Sequence, residues 1–225
     1  TTLLNLCAGL IEPDAGRISR PVGRPGIVFQ EPRLLPWRTA EENLTLGLRA
    51  LHVPKPTVKQ TTALYLARLG LQEAAHLFPH QLSAGMQQRV ALGRALITDP
   101  SYLLLDEPFK SLDVALRLSL VRLLLDEWQR RPRPILFITH DIAEAALAGH
   151  RILVVGPRPL TILQTVTPNR HPTERQPGDT DVLQTQAGLY TLLTDLGGPG
   201  TTTPGNPSEQ KRGSVCAPPS ADHSG

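Results

Sequence analysis

At 225 residues the chain is long enough to bury a full core, and one domain, or one domain with appendages, is expected. A formal net charge of +3 without any Lys/Arg-rich run argues against nucleic acid as a partner. Cys7 and Cys216, near opposite ends, offer neither a disulfide framework nor zinc-ligand spacing and fit a reducing, cytoplasmic setting.

In chain order, Thr1–Leu10 carries apolar residues at helical spacing (Leu3, Leu4, Leu6, Cys7, Leu10) and ends before Pro13 and Gly16. It has no initiator methionine and none of the marks of a signal peptide, which reads as N-terminal truncation. No apolar run approaches the roughly 18 residues of a membrane span, so work at a membrane would need an anchoring subunit. Gly26-Ile27-Val28-Phe29 predicts a short buried strand ending at Gln30. Three helices follow between Thr39 and Arg94. The first starts near Thr39, with Glu42 completing a capping box; the second starts near Pro56; the third starts after Ser83.

Strands and helices then alternate: a strand at Ser101–Leu105, a helix at Leu112–Trp128, a strand at Pro134–Thr139, a short helix at Ile142–Leu147 and a strand at Arg151–Val155. That alternation predicts an α/β fold with a largely parallel sheet covered on both faces, into which the middle helices are inserted as a subdomain. Asp181–Leu196 predicts one more amphipathic helix. Beyond it, Gly197–Gly225 is rich in Gly, Pro, Ser and Thr and is expected to be disordered.

Two features carry chemistry. Asp106-Glu107 closes the apolar strand Tyr102–Leu105, and adjacent residues of a strand point to opposite faces, so the two carboxylates can do different work. Ser83 is a good N-cap for the helix that follows. The free N–H groups and dipole of such a helix start favour an anion, and Gly85 lets a phosphate approach the backbone.

With these residues in view, the chain resembles the ATP-binding subunit of an ABC importer, in particular the nitrate/sulfonate/taurine branch. Val28-Phe29-Gln30-Glu31-Pro32-Arg33-Leu34-Leu35-Pro36-Trp37-Arg38 is similar to that branch's Q-loop segment. Pro79-His80-Gln81-Leu82-Ser83-Ala84-Gly85-Met86-Gln87-Gln88-Arg89 is similar to its signature region. Asp106-Glu107, Ser111-Leu112-Asp113 and Ile138-Thr139-His140-Asp141 match the Walker B, D-loop and switch-histidine motifs. The resemblance covers roughly residues 1–165 and implies a P-loop NTPase-type fold. It implies a partial ABC domain over 1–165 with a helical subdomain at about 39–98, an extension over 166–196 and a tail over 197–225.

The resemblance further implies ATP and Mg2+ as cofactors. Glu107 would be the general base, His140 would contact the γ-phosphate, and Gln30 would touch metal and attacking water. Thr1, Gln30 and Asp106 would lie in the metal shell. Thr1, Thr2, Ser83, Ala84, Gly85, Gln87 and Asp113 would contact nucleotide, those from Ser83 onward across a dimer interface. Implied partners are a second nucleotide-binding subunit, as a homodimer, a transmembrane permease and, indirectly, an extracytoplasmic substrate-binding protein. The implied location is the cytoplasmic face of the membrane, as a peripheral protein.

The chain departs from the family pattern in places. The 225 residues contain no G-x-x-x-x-G-K-[ST] loop, Ala84 replaces a glycine, and Lys110 and Ser111 stand where small residues are common. Gly149-His150 replaces a usual Ala-Asp. Ala84 is expected to be tolerated because a residue opening a helix has φ < 0. Two other readings stay open: an ABC ATPase that drives something other than transport, and an inactive truncated remnant.

Overall fold

The computed structural model describes residues 1–110, 112–156 and 160–197. Ser111 of the expected D-loop and the tail beyond Gly197 lie outside them. The elements run α1 (Thr2–Ala8), β1 (Pro25–Val28), α2 (Ala40–Ala50), α3 (Lys55–Leu69), α4 (Ala84–Leu96), β2 (Tyr102–Asp106) and α5 (Val114–Arg130). They continue with β3 (Ile135–Ile138), α6 (Ile142–Ala148), β4 (Ile152–Val155), β5 (Ile162–Val166) and α7 (Thr180–Gly197). Short 3-10 turns occupy Pro79–Gln81 and Pro172–Glu174.

The central sheet is parallel, in the order β1-β2-β3, with Val28 beside Leu105 and Asp106 beside Ile138. β2 is buried along its whole length. Its alternate side chains divide between two layers, as a strand's must. Leu103 and Leu105 join Leu92, Leu96, Leu120, Val121 and Leu124 on the α4–α5 side. Tyr102 and Leu104 meet Leu4 of α1 on the other.

The helices begin where their caps direct. Thr39 Oγ1 accepts from Glu42 N and Glu42 returns a bond to Thr39 N, which is the expected capping box. Ser83 caps α4 through Met86 N. Leu44, Leu48, Leu66, Leu69 and Val90 give α2, α3 and α4 an apolar core of their own.

β4 lies outside the largely parallel sheet in which the alternation of strands and helices placed it. It pairs antiparallel with β5, a strand the sequence reading did not anticipate, in a separate two-stranded ribbon. Only Val154 of β4 is buried and β5 is largely exposed. α5 starts at Val114 rather than Leu112, because the Asp113 carboxylate accepts from Leu116 N and sets the helix start there.

Candidate functional site

Because β1, β2 and β3 run parallel, their carboxyl ends open on one rim, the usual place for a ligand in a sheet of this kind. Gln30 lies exposed two residues past β1, Asp106 ends β2 and Glu107 follows it, and His140 lies two residues past β3. Residues far apart in sequence thus meet because their strands share a register.

Asp106 is 5% exposed and points to the α1 side of the sheet, where Thr1 Oγ1 donates to its Oδ2 at 2.6 Å. Two hard oxygen donors in contact at a strand end suit a hard cation such as magnesium.

Glu107 separates from Asp106 by a route other than strand alternation. It lies just beyond β2 with φ of 43°, in the left-handed region. A non-glycine residue held there costs about 1–3 kcal/mol and persists only where its surroundings impose it. Those surroundings are visible. Glu107 N donates to Ile138 O at 2.8 Å, and Lys110 N donates to Glu107 O at 3.2 Å. The Gln88 amide, on α4, donates to the carbonyl of Pro108. Buried Phe109 packs edge-on against Phe137, ring centres 5.8 Å apart.

The turn aims the Glu107 carboxylate at Lys110 and His140. Oε2 lies 2.7 Å from Lys110 Nζ, and Oε1 lies 3.4 Å from His140 Nδ1. The Lys110 ammonium holds this carboxyl below the usual carboxylate range; partial burial opposes it and His140 adds to it. Lys110 is therefore not a neutral replacement for a small residue: its charge rests on the carboxylate.

The loop bearing His140 is anchored from below. Thr139 Oγ1 donates to Glu144 Oε2 at 2.6 Å, and Asp141 N donates to Thr139 Oγ1 at 3.0 Å. Asp141 caps α6 through Ala143 N and Glu144 N. Arg117 of α5 pairs with Asp141 and, at 3.5 Å, with Glu144, while also donating to Leu112 O. Burial pushes the Glu144 carboxyl above the usual range. Gln88, Arg117 and Glu144 were not singled out in the sequence. Their roles depend on partners that only the fold supplies, although the i,i+3 spacing of Glu107 and Lys110 signals that one pair.

A second group forms where α4 and α5 begin side by side. Ser83 Oγ accepts from Met86 N at 3.2 Å, and Asp113 Oδ1 accepts from Leu116 N at 2.9 Å. A β-carbon on Gly85 would lie 2.2 Å from Leu116 Cδ2, so its missing side chain lets the two helix starts touch. Ala84 opens α4 and is not among the positive-φ residues. Gln87 turns its amide inward, donating to Pro79 O and Leu82 O, which braces the turn before the helix. None of the hydrogen bonds or ion pairs found among the described residues joins Ser83, Gly85, Gln87 or Asp113 to Asp106, Glu107 or His140. Thr2 opens α1 beside Thr1.

Comparison with known proteins bears on this layout. Residues 1–110 match the ABC transporter family. The chain is 45% identical over 167 residues to a taurine import ATP-binding protein of Rhizobium johnstonii, covering 71% of this chain and 63% of the relative. It is 42% identical over 176 residues to a taurine import ATP-binding protein of Yersinia pestis, covering 75% of this chain and 69% of that one. The fold also superposes with a TM-score of 0.64 on an ATP-binding cassette solved as a dimer in a post-hydrolysis state with ADP and Pi. That pair is 28% identical, over 74% of this chain and 79% of the other. The chain thus spans less than two thirds of the length of several curated relatives it matches, 63% of the Rhizobium protein among them.

Proposed function

Since this chain belongs to the ABC transporter family, in its ATP-binding branch, we propose that it is the ATP-binding, ATP-hydrolysing subunit of an importer for a small anion such as a sulfonate, nitrate or taurine. The observation that carries this reading is the meeting of Gln30, Asp106, Glu107 and His140 on one rim, with Glu107 held in a left-handed backbone and 3.4 Å from His140.

In this reading Glu107 takes a proton from the water that attacks the γ-phosphate. Ionisation is secured by Lys110, whose ammonium must give up Oε2 when the carboxylate accepts that proton. His140, held by Thr139, Glu144 and Arg117, faces the γ-phosphate, and Gln30 orients water from the β1 side. Thr1, Asp106 and Gln30 would hold magnesium, which when bound with nucleotide neutralises phosphate charge.

The paired helix starts at Ser83–Gly85 and Asp113 share no hydrogen bond or ion pair with Asp106, Glu107 or His140 among the described residues, which supports their use across a two-fold interface, on nucleotide held by a second copy. Closure on ATP and reopening after hydrolysis would pass through the Gln30 segment and α2–α4 to a permease. Among the described residues no helix is long and apolar enough to cross a membrane, and a peripheral place at the cytoplasmic face, beside a permease fed by a substrate-binding protein, suits this role. The division into an ABC domain over 1–165, a helical subdomain over 39–98 and an extension over 166–196 is part of the same proposal.

The 225 residues carry no glycine-rich loop ending in lysine, the main clamp on β- and γ-phosphates. This polypeptide alone is therefore proposed not to hydrolyse ATP. The test uses the complete gene product assembled with its permease. Glu107→Gln should keep ATP-driven dimerisation while slowing hydrolysis about 100-fold or more. Turnover at the unmutated rate would remove Glu107 from the role.

A further inference from the structure

Away from the rim, three aromatic side chains from three parts of the chain meet under the C-terminal segment. His150 lies between α6 and β4, His171 stands just before the Pro172–Glu174 turn, and Trp128 belongs to α5. The Nε2 atoms of His150 and His171 are 3.0 Å apart. Trp128 lies against both rings, centres 4.9 Å and 5.3 Å away, with its Nε1 turned aside to Arg133 O. The other nitrogen of His171 is engaged: Nδ1 accepts from Thr173 N at 3.4 Å, capping the Pro172–Glu174 turn, and lies 2.6 Å from Thr173 Oγ1.

The arrangement of the two rings is informative. Imidazoles sharing a proton along a straight N–H···N line would place their centres roughly 5.3 Å apart. Here the centres are 4.7 Å apart and the planes cross at 73°. Two imidazoles bound side by side to one ion, at about 2.0–2.1 Å per nitrogen and near a right angle, have Nε2 atoms about 3 Å apart and centres about 4.7 Å apart. The distances therefore match lone pairs converging on one point. A near-right angle is that of square or octahedral coordination rather than of a tetrahedron.

We propose that His150 and His171 form an open two-imidazole site for a late first-row divalent ion of the nickel or copper class. His171 Nδ1 accepts from Thr173 N at 3.4 Å, so binding an ion through Nε2 requires the ring proton to move to Nδ1, where Thr173 Oγ1, 2.6 Å away, can accept it. Partial burial first, then His171 and Arg175, lowers the pKa of His150 and favours its neutral form. No group of three or more His, Cys, Asp or Glu side chains among the described residues is placed to hold a metal, so the remaining positions would go to solvent. The ion would clip the segment after β5 to the start of β4. Arg175 already ties that segment to α6 by donating to the carbonyls of Ala146 and Gly149. This site is independent of the nucleotide reading.

The test uses the untagged 225-residue chain in a Trp37→Phe background, where Trp128 is the remaining indole. Nickel should quench Trp128 emission saturably, with one ion per chain, while magnesium leaves it unchanged. His150→Gln and His171→Gln should each weaken the response at least ~10-fold, and Thr173→Val should weaken it about 10-fold through the outer contact alone. Absence of saturable quenching in the chain with both histidines intact overturns the proposal, whether or not the variants fold. Equal affinity in either His variant overturns it too. So does an emission that follows pH but ignores nickel, which would mean that the rings share only a proton.

Discussion

Helix α2 and the rim at the ends of β1–β3 satisfy their polar groups in different ways. In α2, partners are neighbours in sequence. Thr39 and Glu42 close their cap within one turn. Asn43, fully buried, accepts from Leu35 N and donates to the carbonyls of Leu35, Arg38 and Thr39. At the rim, partners come from distant segments: Thr1 with Asp106, Gln88 with Pro108, Arg117 with Asp141, and Glu107 with His140. Local order needs only a helix to form. The rim exists only after three strands have aligned, and it alone holds a non-glycine catalytic candidate in the left-handed region.

Substitutions sharpen this contrast, because damage to the helices should appear as lost stability and damage to the rim as altered chemistry. The largest effect is expected at Leu44, fully buried in the helical core. Leu44→Ala should lower unfolding free energy by about 2–5 kcal/mol in a denaturant titration. A loss well under 1 kcal/mol would mean that α2–α4 has little packing of its own. Asn43→Ala comes next, at about 1–3 kcal/mol, since Leu35 N and Arg38 O have that amide as their hydrogen-bond partner.

At the rim, Glu144→Gln should cost about 1 kcal/mol by weakening the Thr139 and Arg117 contacts. Its pH dependence is the sharper readout. Burial raises the folded-state pKa of Glu144, so its contribution is complete below the ordinary carboxyl pKa and is lost as pH rises through the raised value. The advantage of the unmutated chain over Glu144→Gln should accordingly shrink with rising pH; an advantage that grows would contradict the assignment. Lys110→Met should have the smallest effect on stability, under about 1 kcal/mol for a partly exposed pair. It should nevertheless move the Glu107 carboxyl upward toward the usual range, a shift that carbon-13 NMR of the labelled side chain would detect.

Much of the architecture was legible in the chain. The caps at Thr39 and Ser83, the parallel strands β1, β2 and β3, and the helix at Thr180–Gly197 follow from periodicity and capping chemistry. The residues of the rim were legible as a set, because their types and order match a known family. Their geometry was less so. Strand alternation predicted that Asp106 and Glu107 would diverge, and they do, but by a left-handed turn braced from α4 and β3. β5 was missed because its side chains are largely exposed and give no burial pattern to read. β4 was placed in the wrong sheet because a short apolar run does not name its partner.

The sequence by itself determined which segments become helices, the strands β1–β4, the starts of α2 and α4, and which acidic, amide and imidazole groups sit at strand ends. Those outcomes depend on groups within one turn or on a two-residue alternation. Tertiary structure alone decided the antiparallel β4–β5 ribbon, the backbone of Glu107, the ammonium resting on its carboxylate and the convergence of His150 with His171. Each of these is set by which surfaces pack together, and packing brings together side chains whose separation along the chain carries no signal of their contact.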